Sequence, residues 1–193
     1  MGNRKRQSDD QKTRPRHLGR HLLADPRICR GKPFFKGTRV PVEKVLVELA
    51  RARTFQEILA ARPKLTRAAV AEAIQLAAAA LVKPYASHNA AVRELWKAGR
   101  QDEVRLLRPW EVGQYLIVDP GVCFGKLTFK GTRLPVQTIL TYLSMRGTMT
   151  YILKGWPYLK REALVEAIQL AKGALIKQCT NQTEDIHEPV LAG

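Results

Sequence analysis

Apolar residues fall at helical spacing in two long stretches of the chain. In the first, Val42, Val45, Leu46 and Leu49 predict a helix over 41–52, and Pro41 suits a first helical turn. Thr54 reads as the cap of a short helix over 55–61, with Ile58 and Leu59 turned inward, and Pro63 stops it. Beyond Leu65, Thr66 reads as the cap of a third helix reaching residue 82, with Val70, Ile74, Leu76, Ala77 and Leu81 on its buried side. Ahead of these helices, residues 22–40 read as short extended segments with turns at Gly31 and at Lys36-Gly37-Thr38. The second stretch predicts helices over 135–146, 148–154 and 160–176. The pattern therefore predicts a mainly α protein of two tandem tri-helical, helix-turn-helix-like domains, each preceded by a short β-hairpin.

The two stretches are copies of one another. Asp25-Pro26, Cys29, Gly31-Lys32 and Phe35-Lys36-Gly37-Thr38-Arg39 return as Asp119-Pro120, Cys123, Gly125-Lys126 and Phe129-Lys130-Gly131-Thr132-Arg133. The offset is constant, and roughly 29 of 57 aligned positions are identical. Five segments follow: a basic arm over 1–20 expected to be disordered, a first repeat over 21–82, a connector over 83–114, a second repeat over 115–177 and a polar tail over 178–193. Val92, Leu95, Trp96, Val104, Leu106, Leu107 and Trp110 make the connector too apolar for a slack linker. Asn89 reads as the cap of its main helix, and Gly99 as its end. Hydrophobic content of 45% suffices for two small cores.

Charge bears on function. The 33 Lys and Arg against 17 Asp and Glu give a formal charge of +16. So large an excess favours a polyanion, because each phosphate contact releases condensed counterions. Two copies of one domain suit a partner with two-fold symmetry, and duplex DNA is such a partner. The first residues lack an apolar signal core and no run reaches bilayer length, which implies a cytoplasmic, nucleoid-associated protein with no membrane partner. Three cysteines without a CxxC pair suit a reducing compartment and small buried side chains at Cys29 and Cys123. The histidines His17, His21, His88 and His187 stand in different segments, and the recurring acids Asp25/Asp119 and Glu72/Glu166 lie far apart within each repeat. No catalytic residue, metal ligand or cofactor is therefore expected.

The Gly-Thr-Arg-x-Pro-Val run, with the Asp-Pro and Gly-Lys positions before it and Pro63-Lys64-Leu65 or Pro157-Tyr158-Leu159 before the closing helix, resembles the prokaryotic family of domain of unknown function 433. The resemblance covers both repeats, about 60% of the chain. Through that family it is similar to VapB-type antitoxins with a helix-turn-helix, which implies DNA binding, transcription regulation and a toxin as an optional protein partner. Leu127 departs from the pattern where Pro33 keeps it, and the tandem layout differs from the family's single small domains.

The motif residues divide between building and binding. Gly37 and Gly131 relieve a left-handed turn, while Thr38 and Thr132 are expected to cap the following helix. Arg39 and Arg133 either bind phosphate or pair with Asp25 and Asp119, and the joint recurrence of acid and base favours the ion pair. DNA reading then falls to the third helices, through Thr66, Arg67 and Gln75 in the first repeat and Lys160, Arg161, Gln169 and Lys172 in the second. Arg4, Lys5, Arg6, Arg14 and Arg16 of the arm would follow phosphates. The competing expectation is a protein-interaction module or homodimer, with the run Ala77–Ala80 packing helix on helix.

Overall fold

The computed structural model describes residues 15–180. Each repeat opens with a three-stranded antiparallel sheet. In the first, β1 (Arg16–His17) pairs with β2 (Leu22–Asp25), and β2 with β3 (Ile28–Phe35), placing Arg16 opposite Ala24 and Leu22 opposite Phe35. After the connector, β4 (Trp110–Glu111), β5 (Leu116–Val118) and β6 (Leu127–Phe129) repeat that order, with Leu116 opposite Phe129. The hairpins expected from the sequence thus each carry an extra strand. In the first repeat that strand lies at Arg16–His17, inside the segment expected to be a disordered arm.

Helices follow the strands in both copies, so the protein is mainly α with a two-part repeat. The first copy holds α1 (Val42–Ala50), α2 (Phe55–Ala60) and α3 (Arg67–Val82). A 3₁₀ turn at Lys83–Tyr85 leads into the connector helices α4 (Ala86–Lys97) and α5 (Gln101–Leu106). The second copy holds α6 (Val136–Arg146), α7 (Met149–Gly155) and α8 (Arg161–Thr180). Thr54 caps α2 through a capping box with Glu57, and Thr66 caps α3, so both hydroxyls mark helix starts as the sequence implies, while Thr148 caps α7 rather than opening it. Asn89 lies inside α4 rather than at its start, because the 3₁₀ turn lets the helix begin three residues earlier. Gly99, at φ +72°, ends that helix as expected.

The packing departs from two small cores. One hydrophobic cluster runs through both repeats and includes Leu22, Phe35, Leu46, Leu49, Ile58 and Ile74 with Leu116, Phe129, Leu140, Leu143, Ile152 and Ile168. Helix α3 packs chiefly against α6 and α8 of the other copy, and α8 in turn covers α1 and β3 of the first. Each repeat therefore lends its third helix to its twin. Equivalent contacts confirm a pseudo-two-fold relation. Arg16 donates to the Cys179 carbonyl at the end of α8. Trp110, which stands where Arg16 does in the first copy, lies with its ring 6.3 Å from Tyr85, the counterpart of Cys179. At the waist, the Phe55 amide donates to the Gly147 carbonyl at 3.1 Å. Gly147 adopts φ +76° with Phe55 so close that a Cβ there would sit 2.7 Å from its ring, so only glycine fits. Leu106, one of the apolar residues of the connector, is 80% exposed, because the short α5 turns only Val104 inward.

Candidate nucleic-acid interface

The third helices do not present the face expected of them. Thr66 is used as the N-cap, accepting from the Ala69 amide at 3.1 Å. Arg67 donates to the Met145 carbonyl at 2.7 Å, and its guanidinium sits 5.3 Å from the Phe55 ring centre. Gln75 donates to the Ser144 hydroxyl at 3.3 Å, and Ser144 itself is buried. These residues join one repeat to the other. Ala78 is buried, because α3 has neighbours on both sides. In the second copy Lys160 and Arg161 are exposed at the start of α8, while Gln169 and Lys172 are half-buried. The buried position equivalent to Ser144 is Ala50, which offers no side-chain acceptor, so the two waists are not alike.

That asymmetry separates stability from binding. Arg67→Glu is expected to destabilise the protein by about 1–3 kcal/mol, because a hydrogen bond across the waist and a contact with the Phe55 ring of its own repeat are lost. Arg161→Glu, on a free surface, is expected to change stability by less than about 0.5 kcal/mol while weakening any duplex contact. Urea unfolding of both variants measures the difference, and equal losses of stability would contradict it.

The Gly-Thr-Arg motif builds a turn and leaves its arginine free. Gly37 and Gly131 adopt φ +74° and +72° as the sequence implies. Thr38 and Thr132 do not cap helices. Each hydroxyl donates to the carbonyl of Phe35 or Phe129 at 2.8 Å and accepts the amide of Val40 or Leu134 at 3.1 Å, closing the turn three residues before the helix. The expected Arg39–Asp25 and Arg133–Asp119 pairs are not formed. Asp25 is taken by Arg27, two residues away, with contacts of 2.9–3.1 Å, and that guanidinium holds its carboxyl below the usual range. Asp119 accepts the Gly121 amide at 2.8 Å. Arg39 and Arg133 stay exposed, and among the described residues no carboxylate meets either.

A second pair of recurring acids has a role that sequence reasoning missed. Glu72 accepts the amides of Arg20 and His21, at 2.6 and 2.7 Å, and Glu166 accepts those of Gln114 and Tyr115, both at 2.7 Å. Each carboxylate ties its third helix to the turn before the middle strand. Gly19 and Gly113 make room, since a Cβ on Gly113 would lie 2.6 Å from Glu166 Oε1 and one on Gly19 would strike Glu72. The signal was present in the sequence, because Gly19 with Glu72 and Gly113 with Glu166 recur at one spacing.

The connector seals the second repeat. Helix α4 packs on the 3₁₀ turn Cys123–Gly125, with Trp96 edge-on to Phe124 at 6.0 Å and His88 edge-on to Trp110 at 4.6 Å. Burial pushes the His88 pKa below its ordinary value. Cys29 and Cys123 are half-buried rather than buried, and the Cys123 thiol points at the Arg133 carbonyl, 3.3 Å away. Among the described residues no group of three or more His, Cys, Asp or Glu is placed to hold a metal ion. No described helix is long and apolar enough to cross a membrane.

Acids and bases are used unequally. Among the described residues, Asp25, Glu43, Glu48, Glu94, Asp102, Glu103 and Glu111 each pair with a Lys or Arg. Glu57 closes a capping box, while Glu72, Asp119 and Glu166 hold backbone amides. Exposed cations remain over, among them Arg30, Lys36, Arg39, Lys44, Arg51, Lys64, Arg133, Lys160 and Arg161. Arg4, Lys5, Arg6 and Arg14 lie outside the described residues. Arg16, expected on phosphate, instead belongs to β1 and reaches Cys179.

A family model described as a protein of unknown function (DUF433) matches residues 24–77 and again residues 117–171. Neither a curated protein nor a solved structure matches the chain.

Proposed function

Since the chain belongs to the DUF433 family and carries its domain twice, we propose that it is a double-stranded DNA-binding protein acting in transcription regulation or nucleoid organisation. One observation carries this reading. The fold spends nearly all of its described carboxylates on internal contacts and leaves its surplus of cations at the surface, on two copies of one scaffold. Duplex DNA offers phosphates in two strands related by local two-fold axes, so a pseudo-two-fold scaffold meets it with equivalent elements. Arg39 and Arg133, exposed on equivalent turns, are the positions we assign to phosphate contact.

The helix-turn-helix reading takes a narrower form. The first turns of α3 and α8 are open, and Lys160 and Arg161 are the cations there without a structural task. Cations at a helix N-terminus oppose the helix dipole, so their placement has a small cost that an incoming phosphate offsets. Gln169 and Lys172 stand further along α8, half-buried, and are secondary in this reading.

Binding of a random duplex is expected to fall steeply with salt, with a log–log slope of several units. Fluorescence anisotropy from about 50 to 200 mM salt measures it. Affinity that is absent, or unchanged over that range, would sink the proposal.

A protein-binding role has one observation in its favour, the exposed Phe124, Tyr142, Met145, Tyr151 and Tyr158 of the second repeat. A toxin-like partner or a second copy of the chain would then cover them. A pull-down with and without nuclease separates the readings, since partners that survive nuclease favour this second one.

A further inference from the structure

The same cleft occurs in both repeats with opposite chemistry. In the first repeat an open cleft of about 670 Å³ lies between the β3 turn and α1, lined by Arg30, Lys44, Arg51, Arg62, Glu43 and Glu48 among others. In the second repeat the equivalent cleft, of about 390 Å³, lies between Lys126 and α6 and is lined by Gln137, Thr138, Thr141, Tyr142 and Met145. Lys44 has become Thr138, Glu48 Tyr142 and Arg51 Met145, while Arg62 has become Trp156, whose ring stands 5.1 Å from that of Tyr142. One copy kept a cluster of charges, and the other, apart from Lys126 at its edge, an uncharged aromatic wall.

The charges of the first cleft are not balanced. Glu48 is taken by Arg62, which donates to it at 2.8 Å, and by Arg53 at 3.6 Å, and Glu43 by Lys32 at 2.7 Å. Arg30, Lys44 and Arg51 are exposed and meet no carboxylate among the described residues. Arg30 stands in the middle of three successive left-handed residues, Cys29 at φ +53°, Arg30 at +57° and Gly31 at +76°. Two of these are not glycine, so the turn is strained, and strain of this kind persists where the surroundings hold it. It sets Arg30 at the rim of the cleft. The same strained turn presents Phe124 in the second repeat, but there the ring is drawn against Trp96.

We infer that the cleft of the first repeat is a phosphate-backbone site, and that the two repeats have divided the work, so that backbone contact is concentrated in the first. The inference rests on the duplex-binding reading and deepens it. Three unpaired cations around a cleft open to solvent match a chain of phosphodiesters, which needs several donors along an accessible groove and no enclosing pocket. In the second cleft Lys126 alone could meet a phosphate, since neutral Thr138 and the Tyr142–Met145 wall cannot.

The test replaces Arg30→Gln, Lys44→Thr and Arg51→Met together. The last two put into the first repeat the residues that the second already carries, so the fold tolerates them on the equivalent helix. The pair Lys44→Thr, Arg51→Met serves alone if the triple variant fails to fold by circular dichroism. A charge-matched control carries Lys83→Gln, Lys154→Gln and Lys177→Gln, all exposed and away from the cleft. Binding of a labelled random duplex is read across salt for each. The cleft variant is expected to lose roughly tenfold or more in affinity at low salt and to show a slope shallower by about one unit per lost contact. The control should change much less. Equal losses in the two, or an unchanged cleft variant, would overturn the inference while leaving duplex binding standing. If the native protein binds no duplex, the reading beneath it falls as well. Capture of polyglutamate that the cleft variant loses would then reassign the cleft to an acidic polypeptide and reject phosphate.

Discussion

Ile74→Ala will destabilise the whole protein by about 2–5 kcal/mol, and Ile168→Ala by a similar amount, in one cooperative transition in each case. Both side chains are almost fully buried where α3 meets α8. With Leu46, Leu49, Ala77, Leu140, Leu143 and Ala171 they enclose a gap of only about 10 Å³, so the seam is closely packed and a truncated side chain leaves a void. Because each third helix rests on the first helix of the other repeat, neither repeat keeps its core when the seam opens. Urea unfolding followed by far-ultraviolet circular dichroism and by the fluorescence of Trp96, Trp110 and Trp156 should therefore give coincident curves. The double variant should fall short of additivity or exceed it by about 0.5–3 kcal/mol, since the two residues share a cavity. Two separated transitions, or a loss confined to one repeat's signal, would mean that the repeats fold independently.

Much of this scaffold was legible in the sequence, and the exchange of helices was not. Helix starts at Thr54 and Thr66 and ends near Ala50 and Val82 follow from spacing and capping chemistry, which act within a few residues. Hydrophobic spacing tells which face of a helix is buried and is silent on what covers it. The clue lay in α3 itself, where Ala69, Ala73, Ala77, Ala78 and Ala80 are buried around the helix rather than along one stripe, as befits a helix with neighbours on two sides. Arg67 and Gln75 read as DNA contacts because a polar residue at the rim of an interface looks, in sequence, like one facing solvent. The Asp25–Arg39 pair failed for a related reason. Recurrence of both residues showed that each matters, yet Asp25 had a nearer partner in Arg27, which the second copy lacks at Gly121. The duplication itself was the surest guide, since the divergence of Lys44, Glu48 and Arg51 from Thr138, Tyr142 and Met145 is visible only by setting one copy on the other.

Removing residues 1–14 will weaken binding to every duplex by a similar factor and leave preference among sequences unchanged. The segment carries Arg4, Lys5, Arg6, Lys12 and Arg14 against Asp9 and Asp10. If its cations lie along phosphates, the log–log salt slope becomes shallower by roughly one unit per lost contact, up to about four units in all. That would be the largest change of slope expected from any single alteration to this protein. The cut has to stop before β1. Arg16 pairs with Ala24 in the first sheet and its guanidinium reaches the Cys179 carbonyl, so a deletion through Arg16 would remove half of a two-residue strand and loosen the end of α8. With the cut at residue 14 the thermal midpoint should stay where it is, because beyond Met1 the segment carries no apolar side chain that a core could use. Anisotropy titrations at three salt concentrations on two unrelated duplexes separate the outcomes. Unchanged affinity and slope would show that the arm takes no part, leaving the field to Arg30, Arg39, Arg133 and Arg161 of the folded repeats. A shift in preference between the duplexes would show instead that the arm reads sequence, which contact with phosphates alone cannot do.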